Sequence, residues 1–242
     1  MTTQAIIFDK DGTLIDFDAF WVAVSIKAIE EVLEQVGADR ALRDTILEAF
    51  GVHDGVTDLN GVLCKGTYEQ MGEIVYRILQ ENGSTLPCDE VVKLVLDAYN
   101  RNSDAGDVKP TCPELADVLA DLKARGIKLA VVTTDNRKIT DLCLAKLGIA
   151  DLFDHIYTDD GDAPTKPDPA CAVDFCRRAG VEKSKDTVVM VGDTMTDMRF
   201  AHNSGITAVA LARSEQSRAV LAPHADAVIA AMTQLSAVIG LE

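Results

Sequence analysis

Two rhythms of apolar residues run along this chain, and they divide it. From residue 111 onward, helical spacing alternates with short unbroken apolar runs. Leu115, Val118, Leu119 and Leu122 recur at i, i+3, i+4 and i+7, the stripe of an amphipathic helix, and Gly126 is placed to end it. Residues 127–132 (IKLAVV) then predict a strand, and Ile139, Leu142, Cys143 and Leu147 predict the buried face of a second helix that stops at Gly148. Further along, a short strand is expected at 155–157, a helix over about 170–179, and a strand at 187–191 (TVVMV). Another helix leads to Gly205, and a strand follows at 206–211. Near-continuous apolar strands alternating with helices imply a parallel sheet covered on both faces.

The first 110 residues read differently. Residues 5–8 (AIIF) predict one buried strand, after which helical patterns cover about 19–36, 40–50, 67–80 and 89–99 with no convincing strand between them. The fold class expected is therefore α/β, a Rossmann-like parallel core of residues 1–17 and 106–242 with an all-helical cap, residues 18–105, inserted after the first strand. Polar hinges, Asp16-Phe17-Asp18 on one side and residues 100–107 on the other, suit a lid that tilts over the first strand's end.

The first strand runs straight into Asp9-Lys10-Asp11-Gly12-Thr13. Residues i and i+2 of an extended chain share a side, so Asp9 and Asp11 can face one ligand. In parallel α/β sheets, ligands bind at the carboxyl ends of the strands. Taken alone, the segment has a competing reading as a hairpin turn at Asp11-Gly12 or a helix N-cap. Other strand ends change the balance. The strand at 127–132 ends at Thr133-Thr134, and the one at 187–191 runs into Gly192-Asp193, with Asp197 four residues on. Lys166 lies in the loop between them. Carboxylates from two strands, one hydroxyl and one lysine can hold a divalent cation and a phosphoryl group together.

Composition narrows the partners. With 39 acidic and 23 basic residues among 242, the net charge is −16, which argues against nucleic acid and anionic membranes. An anionic substrate must then be drawn in by local cations or a metal. Six cysteines without a C-x-x-C pair read as reduced, buried thiols, and with neither a signal segment nor a long apolar stretch a cytoplasmic protein is expected.

FDKDGTLID resembles the first motif of the haloacid dehalogenase-like (HAD) superfamily, VVTT its second, the stretch Lys166-Pro167-Asp168-Pro169 its third and VGDTMTD its fourth. All four stand in the family's order, and the phosphoglycolate phosphatase-like branch looks nearest. What this resemblance implies has a physical reason at each position. Asp9 would be the nucleophile that takes the phosphoryl group. Asp11 would protonate the leaving alkoxide and then deprotonate the attacking water. Asp193 would bind Mg²⁺ with Asp9 and the backbone carbonyl of Asp11, and Asp197 would orient a metal-bound water. Thr133, with backbone N–H groups near Gly12 and Thr134, would hold phosphoryl oxygens, and Lys166 would offset the clustered negative charge.

The resemblance also implies the reaction. Asp at position 11 is similar to phosphatases and phosphomutases, whereas dehalogenases, phosphonatases and P-type ATPases carry another residue there. The expected function is a Mg²⁺-dependent phosphatase acting on a small phosphorylated metabolite, as a monomer or homodimer. A phosphosugar mutase is the alternative, ahead of a receiver-like phospho-switch or a non-catalytic binding protein. Departures from the family pattern are Thr134, where many relatives carry Asn, the missing glycine in 210–214, and Lys10 at a position often apolar in this branch. In the cap, Lys65 and His53 are candidates to reach a substrate; otherwise both are surface residues. The acidic run Asp159, Asp160 and Asp162 is left out of the site as a solvated loop.

Overall fold

The run AIIF lies at the middle of a parallel sheet. In the computed structural model, which describes residues 3–58, 60–161 and 164–240, the strands in chain order are β1 (Ala5–Phe8), β2 (Val52–His53), β3 (Val56–Thr57), β4 (Lys128–Val132), β5 (His155–Tyr157), β6 (Val188–Gly192), β7 (Thr207–Leu211) and β8 (Ala227–Ile229). Six of them form one sheet in the order β5-β4-β1-β6-β7-β8. Strand β1 pairs parallel with both neighbours, Phe8 standing opposite Val131 on one side and Val191 on the other. The residues that follow these three therefore leave the sheet side by side. That register brings Asp9, Thr133 and Asp193 together, although they are far apart in sequence.

Packing explains why the register holds. Ile7, Ala130, Met190 and Ala208 on successive strands join one core with Phe175 and Phe200 from the helices Ala170–Ala179 and Met195–Ser204. All are fully buried, and a one-residue slip would turn each strand's apolar set to the wrong face. Strand β8 lies beyond the pattern read from sequence. It is three residues long in an alanine-rich stretch, a composition that favours helix, and its partner across the sheet decides it.

The chain divides into two units, one of Met1–Asp16 with Val108–Glu242 and the other of Phe17–Asp107. The second starts one residue earlier and ends two later than the expected 18–105. Phe17 stacks its ring 6.4 Å from that of Trp21, and the Asp107 N–H donates to the Ala19 carbonyl, so both belong with the helices.

This second unit is not wholly helical, contrary to expectation. Between the helices Leu42–Ala49 and Val62–Lys65 stands the antiparallel hairpin β2–β3, turned by Asp54-Gly55 with positive φ at both residues (53° and 79°). That is the backbone a two-residue hairpin demands. The Asp-Gly pair was legible, but two-residue strands are too short to alternate. His53, one of the two cap candidates, is on β2.

Two other readings need correction. Cys143, Cys171 and Cys176 are buried as expected, whereas Cys64, Cys88 and Cys112 are partly exposed; all six are free thiols. Asp159 and Asp160 also do more than meet solvent. The Thr165 hydroxyl donates to Asp159, and the Arg137 backbone N–H donates to Asp160; Asp162 lies outside the described residues. Among the described residues, no helix is long and apolar enough to cross a membrane.

Candidate active site

Backbone geometry at the end of β1 sets the site. The Asp9 N–H continues the ladder by donating to the Val191 carbonyl (2.9 Å), and the Lys10 carbonyl then accepts from both Leu14 and Ile15 (2.9 and 3.0 Å), closing a tight loop. Gly12 sits in that loop at φ +79°, and a Cβ built on it would lie 2.1 Å from an Asp193 carboxylate oxygen. Only glycine lets the loop lie against Asp193. Thr13, fully buried, donates its hydroxyl to Asp193 Oδ1 (2.8 Å), and Thr111 donates to the Thr13 carbonyl (2.6 Å). Asp193 is thereby aimed from its own strand's end by the loop of its neighbour.

Lys166 joins the remaining acids. Its ammonium donates to Asp9 Oδ1 and to Asp197 Oδ1, the latter at 2.7 Å, and all three side chains are buried. Asp197 is completely inaccessible, so it is no surface helix residue. It is the third residue of the helix Met195–Ser204, where its other oxygen accepts from the Thr194 N–H (2.9 Å) and hydroxyl (2.6 Å) in a capping box. Gly192 makes room for it, since a Cβ there would lie 2.3 Å from the Asp197 side chain. Carboxylate oxygens of Asp9, Asp193 and Asp197 fall within 4.8 Å of one another.

Electrostatics follow from this crowding. Burial pushes the Asp9 carboxyl up to about 7; Lys166 pulls against it, while Asp197 and Asp11 add to the rise. Asp193 is held well above the ordinary carboxylate range by burial and by Asp9 and Asp197. Burial works against charge on Lys166, but Asp197 and Asp9 outweigh it and keep the ammonium charged. One ammonium among three clustered carboxylates leaves a deficit of positive charge. An all-oxygen donor set of this kind fits a hard divalent cation, with Asp9 and Asp193 the ligands in reach and Asp197 already engaged by Lys166 and Thr194.

Thr133, 1% exposed, stands at the end of β4, where its hydroxyl accepts from the Asp135 N–H (3.1 Å). It is not the cap of the next helix: Asn136 is, its side chain accepting from the Ile139 N–H (3.0 Å). Thr134 beside it is exposed. Asp11 is part-buried and its carboxylate meets the ammonium of Lys10, at 2.8 and 2.7 Å to its two oxygens. Lys65 and His53 are exposed residues of the second unit, Lys65 donating to the side chain of Asn60 (2.6 Å). Sequence reasoning passed over Thr13 and Thr194 as partners of the acids. It also missed that Lys10 pairs with Asp135 (2.8 Å) as well as with Asp11. The one available signal was a lysine placed between two acids.

The model of the haloacid dehalogenase-like hydrolases matches residues 3–205 of the chain. Phosphoglycolate phosphatase of Neisseria meningitidis is 30% identical over 209 residues, spanning 85% of this chain and 79% of that protein. A HAD-superfamily hydrolase of Geobacter sulfurreducens superposes with a TM-score of 0.69 at 17% identity, over 98% of this chain and 97% of the other. A HAD phosphatase of Thermococcus onnurineus does so with a TM-score of 0.63 at 24% identity, over 100% and 99% of the two chains. The two structures share the fold, and the family match over residues 3–205 spans all four motif segments. The chain belongs to the haloacid dehalogenase-like hydrolases.

Proposed function

We propose that the chain is a phosphatase that hydrolyses a small phosphorylated metabolite through a phosphoryl group carried on Asp9. The observation that carries this reading is the buried Asp9 carboxylate at the sheet's carboxyl edge, clamped by Lys166 and crowded by Asp193 and Asp197. A carboxylate so placed has one face fixed by the ammonium, which orients it as a nucleophile.

In the first step, an Asp9 oxygen attacks phosphorus and the ester P–O bond breaks, while Asp11 passes its proton to the leaving alkoxide. In the second, water attacks the phosphorus of the acyl phosphate, Asp11 takes the water's proton, and the bond to Asp9 breaks to release phosphate. Such assistance is typically worth about 10²–10⁴-fold. Lys166 balances charge on the transferring group, and Thr133 with the backbone N–H groups near Gly12 and Thr134 holds its oxygens. Asp9, Asp193 and the Asp11 carbonyl would hold Mg²⁺, which when bound supplies positive charge to the phosphoryl oxygens and favours the ionised form of Asp9. Asp197, with both oxygens engaged, serves by holding Lys166.

Substrate choice in this reading lies with the inserted unit, Phe17–Asp107, which acts as a cap. It leaves the core just after the Asp9–Asp16 loop, and it carries Lys65 and His53 as candidates for the substrate's distal end. A panel of phosphorylated metabolites, including phosphoglycolate, sugar phosphates and nucleotides, tests the whole. Phosphate release that depends on Mg²⁺ and falls at least ~1,000-fold in Asp9→Asn is expected. Turnover that survives both EDTA and Asp9→Asn would sink the idea. Hexose 1-phosphates isomerised without phosphate release would instead mark a mutase.

A further inference from the structure

Lys10 is the most unusual residue of the site's surroundings. It is a lysine with no solvent exposure, set directly between Asp9 and Asp11. Its ammonium lies 2.7–2.8 Å from the Asp11 carboxylate and 2.8 Å from Asp135, whose side chain is 8% exposed. Burial opposes the charge on Lys10, and these two carboxylates outweigh it.

Stability does not explain such a residue. Burying an ammonium costs several hydrogen bonds to water, and replacing a buried ion network with apolar side chains of like volume is often neutral or stabilising. An apolar residue would fill the space beneath the loop at no such cost. What Lys10 does that no apolar residue could do is join two loops. On one side it holds Asp11. On the other it holds Asp135, whose backbone N–H donates to the Thr133 hydroxyl, whose carbonyl accepts from Asp159, and whose carboxylate accepts from the Asn136 N–H. The ammonium thus links the loop after β1 to the loop after β4.

We propose that Lys10 is a positioning residue. It fixes the direction of the Asp11 carboxylate and its distance from the Thr133–Asp135 loop, so that proton transfer and phosphoryl binding stay in register. This rests on the phosphatase reading, in which Asp11 serves as the acid. Without the ammonium, the Asp11 side chain and the loop of Asp135 lose the contact that ties them together, and each is free to turn. Asp11 would then deliver its proton late or from the wrong angle, while Asp9, Asp193 and Lys166 would be left where they are.

Leaving groups separate this from a merely structural role. An alkoxide needs its proton as the P–O bond breaks; p-nitrophenolate is stable near neutral pH without one. Lys10→Met is expected to lower kcat on an alkyl phosphate by ~10-fold or more, part of what general acid catalysis contributes. On p-nitrophenyl phosphate it should stay within about 3-fold, with both KM values little changed; the melting temperature should fall, because Asp11 and Asp135 lose their shared partner. Lys10→Arg, which keeps a charged donor, should recover part of the alkyl activity. Asp135→Asn, which leaves the ammonium but weakens its anchor, should show the same selectivity in weaker form, so either folded variant decides the matter. Equal loss on both substrates, or loss on neither, overturns the role of Lys10. A wild-type chain that hydrolyses neither substrate overturns the phosphatase reading, and this inference with it.

Discussion

Among the residues of the site, glycine and carboxylate depend on each other. Gly12 and Gly192 have no side chain because Asp193 and Asp197 occupy the places where a Cβ would stand. Gly12→Ala is therefore expected to act at a distance of one atom. Its methyl group would displace the Asp193 carboxylate, and the backbone at φ +79° would resist any L side chain. Phosphate release should fall by at least ~100-fold, the effect expected of a displacement near 1 Å. Thermal unfolding should show a loss of about 1–3 kcal/mol from the strained backbone. Asp9, Asp193 and Gly12 were legible because each sits next to an apolar run. The burial of Asp197 was not, because an aspartate at the third residue of a helix looks the same whether it faces water or Lys166.

At the level of strands and helices, both edges of the sheet end in the same device. Asp154 precedes β5 and Asp226 precedes β8. Each donates its own N–H to an inner strand, to Leu129 and Ala208 respectively (both 2.8 Å), and each accepts that residue's N–H on its carboxylate (2.8 and 2.9 Å). The side chain supplies the acceptor that the ladder lacks where the strand begins. A lysine braces each carboxylate, Lys123 on Asp154 and Lys185 on Asp226. Burial opposes ionisation of Asp154, but Lys123 and the Leu129 N–H outweigh it and hold the carboxyl below its usual range. Removing the acceptor would strand a buried N–H, since Leu129 and Ala208 are fully inaccessible. Asp154→Ala and Asp226→Ala should each cost about 1–3 kcal/mol in denaturant unfolding, and the Asn variants less, because one acceptor oxygen remains. Of the two edges, β5 was legible as the short strand expected at 155–157, whereas β8 was not: its three residues carry no periodicity, and the Asp226 that precedes it works through its side chain.

For the whole molecule, the charge deficit of the site ties stability to pH and to cations. Asp9 titrates at about 7 in the folded chain, against about 3.9 for an unfolded aspartate. Between those values the folded state binds the proton and the unfolded state has lost it. Stability in the absence of metal is therefore greatest below the unfolded value and falls as pH rises through the folded one. Asp193, also raised, adds in the same direction. Asp154, Asp174 and Asp226, lowered by their basic and N–H partners, act oppositely but titrate at lower pH. Melting in EDTA is expected at a higher temperature at pH 5.5 than at pH 8. Mg²⁺ should raise the midpoint more at pH 8, where the carboxylates it would meet are already ionised. A Mg²⁺ effect that is equal at the two pH values would count against the cation site.

The order of residues alone decided a good deal: which segments are strands, that the sheet is parallel, and which acids stand at strand ends. Those properties depend on burial along a single segment, and period and composition report burial directly. What the residues meet across the sheet was decided by tertiary structure. Asp193 meets Thr13 across 180 positions because the strand order sets β1 beside β6. The hairpin at 52–57 and the outermost strand exist by virtue of their partners. Lys10 is the sharpest case. In the sequence it is a lysine where an apolar residue is usual, and only the fold shows two carboxylates, from two separate loops, closing on its buried ammonium. A charge in the interior takes its meaning from its partners, and those partners are brought to it by the packing of the sheet.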